Sequence, residues 1–138
     1  MTATFFGHRD CPDTILPSLR TCVRTLVEQH GVEIFYVGNQ GQFDRLVCKV
    51  LSELQKEYPT LTCCMVLAYV PCGWYDVPLN LVIPDGLETV PRRLAISYRN
   101  QWMLRRAQVV VTYLRHSSGG AAKFAALAEK NQKHLVAL

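Results

Sequence analysis

The chain has 138 residues, 49% apolar and 19% charged, and 15 Lys and Arg against 11 Asp and Glu leave a net charge of +4. That composition describes one globular domain with a continuous core. It excludes intrinsic disorder, collagen-like and coiled-coil repeats, and a spanning helix, because the longest apolar run, Cys63 to Val70, is far short of ~20 residues.

Short β-type runs alternate with longer helical periods. Thr2 to Phe6 reads as a strand ending at Gly7. Asp13 is placed to N-cap a helix whose apolar stripe runs Ile15, Leu16, Leu19, Cys22, Val23, Leu26, Val27, and Gly31 stops it. Glu33 to Val37 is a second strand, ended by Gly38. A second amphipathic helix carries Phe43, Leu46, Val47, Val50, Leu51 and Leu54, and closes at Tyr58-Pro59. Thr62 to Val70 reads as a strand buried on both faces. Pro71 to Pro91 holds four of the seven prolines and reads as a long loop, with short strands near Leu81–Ile83 and Glu88–Val90. Arg92 to Arg106 is helical, Gln108 to Leu114 a strand, Ser117 to Gly120 a turn, Ala121 to Lys130 a helix and His134 to Leu138 a last strand. This order predicts a single α/β domain over 1–138, a Rossmann-like three-layer sandwich around a mainly parallel sheet. No linker or internal repeat interrupts it.

The N-terminus lacks a basic segment followed by an apolar core, so no secretory signal is expected. The six cysteines, Cys11, Cys22, Cys48, Cys63, Cys64 and Cys72, form no C-x-x-C pair and sit mostly in apolar runs. Reduced, buried thiols in a cytoplasmic protein account for them. No metal-ligand spacing and no cofactor motif is present, and no metal or cofactor is expected.

Ligands of open parallel sheets bind beyond the carboxyl ends of the strands. Three polar turns fall there. In Gly7-His8-Arg9-Asp10, Arg9 can hold a phosphate or carboxylate, and His8 can donate to it or move a proton. Gly38-Asn39-Gln40-Gly41 leads from strand to helix, so its backbone N–H groups meet the positive end of the helix dipole. Asp44, in that first turn, is either a ligand contact, for instance to a ribose hydroxyl, or an acid favoured by the dipole alone. Ser118-Gly119-Gly120 precedes the next helix. The glycines admit a ligand or answer only the geometry of the turns.

In the helix over 92–106, Arg92, Arg99 and Arg106 recur every seven residues. They read as a solvated basic face, except that Arg99 has aromatic and apolar neighbours and is expected to be buried with a partner or aimed at an anion. Asn100 stands beside it. Trp102 and Met103 read as core, and Lys123 as surface. No nucleophile motif or Cys–His pair is present, which leaves His8 and Asp44 as the acid–base candidates.

Four segments then occur in order: Phe5-Phe6-Gly7-His8-Arg9, Tyr36-Val37-Gly38-Asn39-Gln40-Gly41-Gln42-Phe43-Asp44, Ser97-Tyr98-Arg99-Asn100-Gln101-Trp102-Met103 and Gly119-Gly120-Ala121-Ala122-Lys123-Phe124. Together they resemble the small bacterial proteins of the SLOG superfamily, a group similar to the "lonely guy" phosphoribohydrolases and to DNA-processing protein A. The resemblance spans almost the whole chain. It implies a Rossmann-like fold and a site for a nucleotide or nucleotide-derived ligand. The phosphoribohydrolase signature P-G-G-x-G-T-x-x-E is only half present, because Ala121-Ala122-Lys123 follows the glycines and no Glu appears before Glu129.

The expected function is therefore binding of a nucleotide-like phosphorylated ligand, with hydrolysis of a nucleotide bond as the candidate chemistry. Backbone amides around Gly38–Gly41 and Ser118–Gly120 would hold phosphate, Arg9 and Arg99 would neutralise it, and Asn39, Asp44 and Asn100 would orient sugar or base. The rival readings are a nucleic-acid-binding module, although aromatic and basic residues do not interleave as a stacking platform requires, and a partner-binding protein without a small-molecule ligand. No membrane partner is expected. Self-association through the helix over 92–106 or through Trp74 and Tyr75 stays open.

Overall fold

The structure is a computed structural model, and it describes residues 1–70 and 79–138. Cys72, Trp74, Tyr75 and the first part of the expected long loop lie outside the described residues. The described strands are β1 (Thr2–Gly7), β2 (Ile34–Val37), β3 (Thr62–Val66), β4 (Asn80–Val82), β5 (Val109–Tyr113) and β6 (His134–Ala137). The helices are α1 (Leu16–His30), α2 (Gly41–Glu57), α3 (Ala95–Arg106) and α4 (Gly120–Lys130). The strands form one sheet in the order β4-β3-β2-β1-β5-β6, and every pairing is parallel.

Alternation along the strands sends side chains to two cores. Ala3 and Phe5 of β1 and Val109 and Val111 of β5 pack with Leu19, Val23 and Leu26 of α1 and with the apolar stripe of α2. Phe6 and Val110 point the other way, against Met103 and Leu104 of α3 and Phe124 and Ala128 of α4. The result is the expected α/β sandwich. No described helix is long and apolar enough to cross a membrane.

Four local expectations are corrected. Asp13 does not cap α1: it lies in a 3-10 turn over Asp13–Ile15, and its Oδ1 accepts a hydrogen bond from Gln42 Nε2 at 2.9 Å. Pro17, early in α1, lacks one N–H that would otherwise need a cap. Strand β3 stops at Val66 rather than Val70: its pairing with β2 ends at Val37–Met65, and the Val66 carbonyl accepts from Arg99 Nη1 at 2.9 Å. The segment expected as a strand over 88–90 is a 3-10 turn over Leu87–Thr89, entered through Gly86 at φ 82° and buttressed by Leu87 against Ala68 and Ala95. Arg92 belongs to a 3-10 turn over Arg92–Leu94 that precedes α3. Elsewhere the expected elements hold within a few residues, and Gly31 ends α1 in the left-handed conformation at φ 68°.

Strand β1 is the hinge of the topology. The chain moves from β1 through β2 and β3 to β4, then returns to place β5 on the other side of β1. Helix α1, leaving β1, packs on one face, and α4, leaving β5, packs on the other. The connections part there and leave a crevice above the ends of β1 and β5.

Gly7 closes β1 under that crevice. A Cβ at this position would overlap the buried Phe43 ring of α2. Gly7→Ala is therefore expected to lower the unfolding free energy by about 1–3 kcal/mol, read from urea denaturation. Gly31→Ala, whose Cβ would meet nothing within 4 Å, should lose only about 1 kcal/mol from its backbone conformation. Equal losses would show that Phe43 yields without cost.

Candidate functional site

The crevice is a cleft of about 390 Å³. Its walls come from the end of β1 (Phe5 to Asp10), the start of α2 (Gln40 and Asp44), α3 (Ile96, Arg99, Asn100, Met103) and the β5–α4 connection (His116, Gly119, Gly120, Ala121). Of the residues singled out in the sequence, Gly7, His8, Arg9, Asp44, Arg99, Asn100, Gly119 and Gly120 line it. Gly38, Asn39, Gly41 and Ser118 do not line it. Phe6, Ile96, Met103 and Ala121 also line the cleft and give it apolar surface.

Arg99 is the central group. Only 2% of its surface is exposed. Its Nη1 donates to Val66 O at 2.9 Å and its Nε to Asn100 Oδ1 at 2.8 Å. Nη2 has no hydrogen-bond partner among the described residues. Burial lowers the Arg99 pKa from its usual value, and the Asp44 and Tyr69 charges oppose that shift. Asp44 is 8% exposed, and its Oδ2 accepts the Gln40 backbone N–H at 2.9 Å. Burial pushes its carboxyl up to about 6, against the opposing effects of that hydrogen bond and of the Arg99 and Arg9 charges. Asp44 and Arg99 thus make no ion pair within 4.0 Å but face each other across Gly38. A Cβ on Gly38 would stand 2.7 Å from Arg99 Nη1 and 2.9 Å from Asp44 Oδ2. Glycine is needed there to let the two charges approach.

Gly41, at φ 87°, packs on Arg9, and the Gln42 N–H donates to Arg9 O at 3.0 Å. These contacts hold the Arg9 backbone while its side chain stays exposed at the cleft. Asn39 Oδ1 accepts from Gln40 Nε2 at 3.3 Å. Three of the suspected glycines therefore have neighbours that explain them. Gly120 does not: it has no positive φ, and a Cβ there would meet nothing within 4 Å. It opens α4 at the cleft, where backbone N–H groups and the helix dipole favour an anion.

His8 is buried with both ring nitrogens engaged. Nδ1 accepts the Arg115 backbone N–H at 2.8 Å, so Nε2 carries the hydrogen and donates to Ser118 O at 3.2 Å. The ring thereby ties the end of β1 to the β5–α4 connection.

Away from the cleft, Arg92 lies over Tyr69 at 4.4 Å and Arg106 over Trp102 at 3.8 Å. Both arginines are exposed, so of the three only Arg99 is buried. Trp102 packs edge-on against Tyr36, Met103 is core as well as cleft floor, and Lys123 is exposed. Cys11, Cys22, Cys48, Cys63 and Cys64 are free thiols. Burial raises Cys11 to about 11 and Cys48 and Cys63 to about 12, too high for reactive thiolates. Among the described residues no three His, Cys, Asp or Glu side chains are grouped to hold a metal ion.

Sequence reasoning passed over Gln40 and His116. Gln40 sits inside the Gly38–Gly41 turn, where the sequence marks the backbone amides but not this side chain. His116 carries no local signal, since its neighbour His8 is far away in the chain. No protein-family model matches the chain, and no curated protein matches it.

The raised carboxyl has a thermodynamic signature. Asp44 in the folded protein takes up its proton at a higher pH than an unfolded aspartate at 3.8. The stability it contributes therefore grows as pH falls from about 7 to about 4, and is lost as pH rises through about 6. The stability difference between wild type and Asp44→Asn should shift in favour of the wild type over that interval, measured by urea denaturation at several pH values. A flat difference would mean that Asp44 titrates as a solvated carboxylate.

Proposed function

We propose that the protein binds a nucleotide or a nucleotide-derived phosphorylated ligand in this cleft, as the resemblance to SLOG proteins implies. The observation that carries the reading is the pairing of a buried Arg99, whose Nη2 has no partner among the described residues, with a cleft that opens onto the unobstructed Gly120 at the start of α4. A buried cation with donors left over calls for an anion. Arg9 adds a second guanidinium from the rim. Phosphate would seat at the first turn of α4 between these groups. Asn100 and Asp44 supply polar contacts for a sugar or base, and Phe6, Ile96 and Met103 the apolar surface for one.

The candidate chemistry is hydrolysis of a nucleotide bond. Asp44 is the group suited to move the proton, because a carboxyl near 6 exists in both forms around neutrality. His8 is less suited, because protonating Nδ1 would cost its bond to Arg115. The missing second half of the phosphoribohydrolase signature speaks for a different bond or for binding alone. The ligand class and the free thiols, of which Cys11, Cys63 and Cys64 are buried and Cys22 and Cys48 half-buried, fit a cytoplasmic bacterial protein.

Thermal-shift measurements against nucleoside monophosphates, ADP-ribose and nucleotide sugars, with inorganic phosphate as reference, test the reading. Ligand at 100 times its Kd adds about 2.7 kcal/mol of stability. Gly120→Val should leave the fold intact, because the space beside it is empty, and abolish the ligand-dependent shift. Arg9→Ala should weaken binding about tenfold, the lower end for a charge-assisted contact because Arg9 is exposed. The absence of a shift with every compound would transfer the function to nucleic acid or a protein partner. Oligonucleotide binding with a steep salt dependence would then identify the former.

A further inference from the structure

The cleft holds a second imidazole. His116 lies flat on His8, with ring centroids 3.8 Å apart and planes 20° from parallel. It is exposed and lines the cleft beside Gly119 and Gly120. The two rings differ in what they have left to offer. His8 has spent both nitrogens on backbone groups, one of them the Ser118 carbonyl. His116 has spent one: its Nδ1 is 3.1 Å from the Ser118 hydroxyl, and its Nε2 has no partner among the described residues. Ser118 thus holds both rings, His8 through its backbone and His116 through its side chain. When the hydroxyl donates to Nδ1, the free Nε2 of His116 carries the hydrogen.

We infer that His116 is a ligand-binding residue whose Nε2–H donates to an anionic oxygen seated at the first turn of α4, with His8 as the platform that fixes its plane. This rests on the proposed phosphate-binding role of the cleft and assigns it a third side-chain donor. Arg9 reaches the anion from the end of β1, Arg99 from α3, and His116 from the β5–α4 connection. The donor set therefore closes around the anion from three segments that only the folded topology brings together. It also explains why a histidine with no free nitrogen lies beneath the site: it is a flat, fixed surface on which the working ring stacks.

The test separates the ring stack from the hydrogen bond. His116→Phe keeps an aromatic ring over His8 and removes the donor. His116→Gln offers an amide N–H in its place. Binding of inorganic phosphate and of adenosine 5′-monophosphate is measured by calorimetric titration, with adenosine as the probe lacking phosphate. His116→Phe should weaken both anionic probes about tenfold or more, leave adenosine unchanged, and keep the wild-type melting temperature. His116→Gln should recover most of the affinity. Ser118→Ala, which frees Nδ1, should give an intermediate loss. If His116→Phe melts early, His116→Ala carries the same comparison without a bulky ring. Unchanged binding of the anionic probes in these donor-free variants, with the loss in Arg9→Ala intact, overturns the role of His116 and spares the cleft. Failure of the wild type to bind either anionic probe overturns the reading of the cleft and the role of His116 with it.

Discussion

A guanidinium with 2% of its surface exposed cannot be left uncompensated, and the upper edge of the sheet is organised around that requirement. The Val66 carbonyl, released from the ladder where β3 ends, takes one hydrogen bond of Arg99, and Asn100 takes another. Asp44 supplies the opposing charge at a distance rather than in contact, through the gap that Gly38 leaves open. Such an arrangement is only half satisfied. A closed Arg–Asp pair would have been a structural ion pair with its hydrogen bonds used up. Here the carboxylate is held partly towards its neutral form by burial, and Arg99 Nη2 has no partner among the described residues. Buried charge is costly unless paired and hydrogen-bonded, so the unfilled part of this network is where an anion would gain most.

Much of the architecture was legible because the signals that set it are local. Helical stripes, β-branched runs and stop glycines lie within one element each, and Gly31 ends α1 as its left-handed conformation requires. At the end of β3 and at Asp13, where the sequence misled, a partner from far along the chain had intervened. Nothing between 62 and 70 says that Val66 will give its carbonyl to Arg99, so the apolar run looked like a longer strand. Asp13 has the chemistry of a cap, but Gln42 claims it. The candidate site divides the same way. Arg99 stood out because its neighbours are apolar, and its burial follows. Gly38 and Gly41 stood out as anion-binding backbone, whereas the contacts that need them are to Arg99, Asp44 and Arg9. A glycine in the sequence cannot distinguish room for a ligand from room for a neighbour. Of the glycines at the cleft, Gly120 is the one with nothing beside it among the described residues, and only the folded chain tells it apart from the others. His116 was illegible because its meaning lies in a ring stacked on it from the other end of the chain.

The two helix layers also divide the labour. On one side, Arg20 and Arg24 of α1 meet Glu53 and Glu57 of α2 in paired hydrogen bonds. These pairs are exposed and screened by salt, so they align the helices more than they stabilise them. The residues that face the cleft come from the start of α2 on that side, and from α3 and the start of α4 on the other. The site is therefore a property of the edge of the sandwich, where both layers meet the ends of the strands.

The pairing of β1 with β5 has a consequence for how the protein comes into being. Strands β1, β2 and β3 follow one another through single helical crossovers, so their contacts form between neighbours in the chain. The bonds that close the cleft join residues more than a hundred apart, such as Arg115 N–H to His8. Closing such a loop costs entropy that grows slowly with its length, and non-local pairing slows folding. On the ribosome the first wall of the cleft emerges while the segment that builds the other is still unmade. A nascent chain at that stage carries the Gly7–Asp10 and Gly38–Asp44 turns without His116 or Gly120, so the cleft is complete only once the last helix and strand dock.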